Sequence, residues 1–98
     1  MTMSQRFALA LPAVVSHVEA TDLAANLETL LLTQVTQGQQ VRLDASALEQ
    51  FDSSVLAVLL SCRRAAASKG GSLVVTGLPE QAQILSEVYG ISGLLVNP

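Results

Sequence analysis

Val41-Arg42-Leu43-Asp44-Ala45, then Asp52-Ser53-Ser54-Val55-Leu56-Ala57-Val58-Leu59-Leu60 and, past a Gly70-Gly71 turn, Leu73-Val74-Val75-Thr76 decide how this chain folds. The first run alternates apolar and polar residues, the period of a strand with one face in a core. The second opens on Asp and Ser, residue types that cap helix N-termini, and continues as a helix to about Ser68. Arg63, Arg64 and Lys69 gather at its C-terminal end, where the peptide dipoles favour cations. The third run is β-branched, lies between glycines and reads as an interior strand. Strand, helix and strand in succession imply a crossover connection and parallel pairing.

Upstream, Leu23, Leu27, Leu30, Leu31 and Val35 recur at helical spacing, and Gly38 stops the pattern. Thr21 is a candidate cap for this helix, with Asp22 in its first turn. Ahead of it, Phe7–Leu11 and Val14–Val18 read as two short strands around Pro12, a hairpin. Downstream, Pro79 suits the first helical position, and Ala82, Leu85, Val88 and Tyr89 form a third apolar stripe closed by Gly90. The order is β-β-α-β-α-β-α, which predicts a small α/β domain spanning residues 1–98.

Composition removes several functions. The 98 residues include five Lys/Arg against eight Asp/Glu, a net charge of −3, and the cations are scattered. A nucleic-acid binder needs a basic stripe, so nucleic acid is excluded as a partner. One cysteine and one histidine supply neither an intramolecular disulfide nor the usual zinc ligand set. No uncharged stretch reaches the ~18 residues of a spanning helix; the longest, Thr29–Val41, is rich in Gln and Thr. The apolar run Phe7–Val15 follows Arg6 as in a signal peptide, yet Pro12 interrupts it and no Ala-x-Ala-like site follows. The expected location is the cytoplasm.

Catalytic patterns are missing. A Ser-His-Asp arrangement would have to use His17, the sole histidine, and no Gly-x-Ser-x-Gly elbow surrounds any serine. His17 reads as a surface or edge-strand residue. Gly70-Gly71 precedes a strand, the wrong order for a phosphate-cradling loop, and Cys62 falls among Leu59, Leu60 and Ala66 as a small core residue. No catalytic residue, metal ligand or cofactor site is expected. The informative spot is Asp52-Ser53-Ser54, which has two compatible readings. It is a helix cap, or Ser53 is a phosphorylation site where the helix N-terminus accommodates roughly −1.5 to −2 added charges. In the helix that follows, Ser53, Ala57, Ser61, Arg64 and Ser68 share one face, with Val55, Leu59, Cys62 and Ala66 opposite. A strip of Ser and Ala lets a partner backbone come close, so the pattern points to an interaction module.

The runs Val41–Asp44, Phe51-Asp52-Ser53-Ser54-Val55-Leu56-Ala57-Val58-Leu59-Leu60 and Gly71-Ser72-Leu73-Val74-Val75-Thr76-Gly77 resemble the STAS domain, over about Val41 to Leu95. The resemblance implies a mixed sheet of four or five strands with three helices packed against it. It also implies a docking surface around the Asp-Ser-Ser corner and no catalytic activity. Within the family, Ser53 matches the serine phosphorylated in the anti-sigma factor antagonists, and Asp52 the acid before it. Val55 departs from that group, which has glycine there. The nearer resemblance is to the small cytoplasmic STAS subunit of Mla-type (toluene-tolerance) ABC transporters, which move phospholipid between bacterial membranes. The tail Leu85-Ser86-Glu87-Val88-Tyr89-Gly90-Ile91-Ser92-Gly93-Leu94-Leu95 is similar to that group's ending. The implied partners are an ABC transporter ATPase, with permease in the same complex, engaged through the Ser53 corner and the second helix. Membrane would be met only through that complex, at the inner face of the inner membrane. The antagonist resemblance implies instead a small anti-sigma serine kinase, and a lone ligand-binding STAS module is a third class.

Overall fold

The structure, a computed structural model, describes residues 7–91. In chain order the elements are β1 (Phe7–Ala10), β2 (Val14–Val15), α1 (Ala20–Gln34), β3 (Gln40–Asp44), β4 (Gln50–Phe51), α2 (Ser54–Ser68), β5 (Ser72–Thr76) and α3 (Glu80–Val88). The class is α/β with three helices, as the sequence predicts; among the described residues there are five strands, one more than the spacing gave and within the four or five that the resemblance implied. The strands form a three-stranded piece ordered β1-β3-β5 and a two-stranded piece, β2-β4. Phe7 lies opposite Val41, Val41 opposite Leu73, and Val15 opposite Phe51, each pair parallel.

Phe7–Leu11 and Val14–Val18 are not a hairpin. They lie in line, each beside a later strand, and the ladder continues between them. The Leu11 amide donates to the Asp44 carbonyl at 2.9 Å, and the Glu49 and Gln50 amides both donate to the Ala13 carbonyl. Pro12 has no N–H to donate, so it interrupts the run rather than reversing it. The second strand stops at Val15 because Ser16–Glu19 forms the turn that leads into α1. Likewise β5 lies at the edge of the three-stranded piece, and β3 is its centre. A β-branched run reports burial of a face, which Leu73 and Val75 confirm, but it does not count neighbours. The short β4 carried no sequence signal.

The two crossovers, β1 to β3 by α1 and β3 to β5 by α2, step the same way across the sheet, and right-handed connections then put both helices on one face. There α1 and α2 pack along each other. Val41, Leu43, Leu73 and Val75 of the sheet share one core with Leu27 and Leu31 of α1 and Val55, Leu59, Cys62 and Ala66 of α2. This packing fixes how the two helices present their outer faces.

Helix ends differ from expectation in instructive ways. Thr21 does not cap α1. The N-cap is Glu19, which makes no side-chain capping bond; its Oε1 instead ties the preceding turn, accepting from the Ser16 amide at 2.8 Å and hydroxyl at 2.6 Å. Those bonds hold the Glu19 carboxyl below its usual range. At the other end α1 stops at Gln34, ahead of Gly38, and Leu30 points outward. Lys69 is the C-cap of α2, and the two arginines sit before its last turn. Pro79 is the N-cap of α3 rather than its first residue. Its buried line runs through Ala82 and Ser86, whereas Val88 and Tyr89 are 75% and 58% exposed. Ser86 enters the core because its hydroxyl donates to the Gln83 carbonyl at 2.7 Å. Gly90 does stop the helix: at φ +74° it lets the Ile91 amide reach back to the Ser86 carbonyl. The apolar segment Gly93-Leu94-Leu95 lies outside the described residues.

Candidate functional site

The corner at the start of α2 is built by Asp52. Its Oδ1 accepts the Ser54 amide at 2.8 Å, and its Oδ2 accepts the His17 amide at 3.0 Å. The His17 ring Nδ1 lies 3.2 Å from the same Oδ2. The Ser54 amide, then the His17 amide, push the Asp52 carboxyl down to about 2, with smaller contributions from their side chains. The cap is therefore Asp52. Ser53 sits at the N-cap position in helical geometry, makes no capping hydrogen bond, and exposes its side chain. Its hydroxyl takes no part in holding the helix start.

His17 is the residue that the sequence reading missed. It is exposed as expected, but it lies in the turn before α1 rather than in a strand, and it meets an aspartate 35 positions away. Nothing local signals that meeting; only the parallel pairing of β2 with β4, which sets Val15 beside Phe51, brings the two turns together. The contact ties the start of α1 to the start of α2.

Beyond the corner the two faces of α2 separate as predicted. Val55, Leu59, Cys62 and Ala66 are buried; Ser53, Ala57, Arg64 and Ser68 are exposed, and Ser61 is half-buried. Ala57 and Ser61 form one wall of a groove of about 380 Å³, with Ala20, Ala24 and Glu28 of α1 opposite. A shallower hollow continues it past Ser61 to Arg64. Arg64 donates to Ser61 Oγ at 3.4 Å, and Ser68 Oγ donates to the Ala65 carbonyl. The structure thus brings Asp52, Ser53 and Ser54 together at one end, sets Ala57, Ser61 and Arg64 along the groove, and leaves Ser68 outside its lining. Burial pushes the Cys62 thiol up to about 12, with the Glu28 carboxylate adding to the effect, so it stays protonated and unreactive.

The corner offers an exposed hydroxyl, a fixed carboxylate and an imidazole beside a lane of small side chains, an arrangement suited to docking. Among the described residues no three His, Cys, Asp or Glu side chains gather to hold a metal ion. No helix of the described residues is long and apolar enough to cross a membrane. No curated protein matches the chain. A family model described as "Mlab, STAS domain" matches residues 3–97, nearly all of it. The chain belongs to the STAS domain family.

Proposed function

We propose that the chain is a non-catalytic subunit that docks on the ATPase of an Mla-type ABC transporter and stabilises or regulates it. In this reading it serves phospholipid trafficking that maintains outer-membrane lipid asymmetry, and works in the cytoplasm against the inner membrane. One observation carries the reading: the Ser53 side chain is exposed one turn ahead of Ala57 on the groove wall, and no structural bond at the helix start uses its hydroxyl. The Mlab description of the matching family model supports the transporter group. Val55 adds to it, being wholly buried where the antagonists have glycine.

The test is affinity purification of the tagged chain from its own cells in mild detergent, with mass spectrometry of what accompanies it. ABC ATPase and permease subunits are the expected companions, and Ser53→Asp weakens their recovery by placing an uncompensated charge in the contact. Full recovery with both Ser53→Ala and Ser53→Asp would remove Ser53 from the interface. The alternative, an anti-sigma factor antagonist, draws on the same exposed hydroxyl. It predicts a small serine kinase in the eluate and a phosphate on Ser53 by intact mass.

A further inference from the structure

The groove between α1 and α2 is lined mainly by alanines, with Thr21 and Ser61 polar and Glu28 its one charged residue. Glu28, half-buried on the α1 wall, lines both the main groove and the hollow beyond Ser61. Its carboxylate has no ion pair among the described residues. Arg64 borders the same hollow, yet its guanidinium is turned to Ser61 Oγ. Across the groove from Glu28 stand Ala57 and Ser61 of α2. The end where the two helices begin is also acidic, with Asp22 in the first turn of α1 and Asp52 before α2. A partner that covers this lane removes Glu28 from water, and a covered carboxylate is tolerated only with a cation beside it.

Building on the transporter reading, we propose that the groove receives a segment of the ATPase that lays small or apolar side chains against Ala24 and Ala57 and brings one arginine or lysine to Glu28. The alanines set how closely the segment approaches; Glu28 selects its charge and register. Docking is then sensitive to salt in a way that a purely apolar contact is not.

The experiment compares wild type with Glu28→Gln, Glu28→Lys and Glu28→Asp, and with Glu87→Gln on α3 as a control. Each tagged chain is purified from its own cells, circular dichroism melts confirm the fold, and the co-purifying ABC ATPase is quantified by mass spectrometry. Glu28→Lys is expected to reduce ATPase recovery by about tenfold or more. Glu28→Gln should lose less, Glu28→Asp should retain part, and Glu87→Gln should match wild type. Raising KCl to about 0.5 M should strip ATPase from wild type but change little with Glu28→Gln. Equal recovery across the Glu28 variants, with ATPase present in wild type, overturns the cationic segment and leaves the transporter reading standing. Absence of ATPase from the wild-type eluate overturns the transporter reading itself, and this inference with it.

Discussion

The two faces of α2 obey different physics. Val55, Leu59, Cys62 and Ala66 sit in the core, where each methylene lost leaves a void that the sheet beneath cannot close. Ala57 and Ser61, on the same helix, border a groove, and with the exposed Ser53 just before that helix they support little of the fold. A helix that needs only one face for folding leaves the other free for recognition, and small side chains there keep that freedom at no cost in packing. Stability and docking should therefore separate by face.

The largest effect tests the inner face. Leu59→Ala, fully buried at the centre of the α2 packing, should lower stability by about 2–5 kcal/mol in urea unfolding. Any docking loss it shows should disappear at temperatures where the variant is folded. On the outer face the order reverses: Ala57→Leu fills the groove, should shift unfolding by no more than about 0.5 kcal/mol, and should abolish ATPase recovery. A variant at either position that damages both properties equally would erase the distinction between the faces.

The corner that joins them is read by pH. The Asp52 carboxyl lies near 2 in the folded chain, below its usual 3.8. A depressed folded value means the stabilisation is complete above the unfolded value and is lost as pH falls from there through the folded one. Wild type should therefore lose stability on acidification between about pH 4 and about pH 2 more steeply than Asp52→Asn, as unfolding across that range would show. The smallest effect belongs to Ser68, which lies outside the groove lining and bonds only within its own helix. Ser68→Ala should leave ATPase recovery unchanged, and a loss there would extend the interface beyond the groove.

What the sequence made legible follows the same division. Periodicity reports which side of an element is buried, so the inner face of α2, the alternation of β3 and the α/β class were all readable from residue spacing alone. Pairing partners were not, because two short apolar runs around Pro12 fit a hairpin as well as an in-line pair; only their longer-range neighbours choose. The same blindness hid His17. Its role depends on a contact between turns that parallel pairing creates, whereas Asp52 and Ser53 could be found because a helix start has a local signature. Side-chain size misled at α3, where Ser86 was passed over for Val88 and Tyr89; a serine that satisfies its own hydroxyl packs as a small core residue. Glu28 was invisible for a different reason: its neighbours across the groove belong to another helix.

The most direct test of the central claim, that the outer face of α2 docks on an ABC ATPase, is quantitative recovery of that ATPase with wild type and with Ala57→Leu under matched conditions. The account predicts stoichiometric ATPase with wild type and almost none with Ala57→Leu, although both chains melt alike. Equal recovery with the two chains would contradict it.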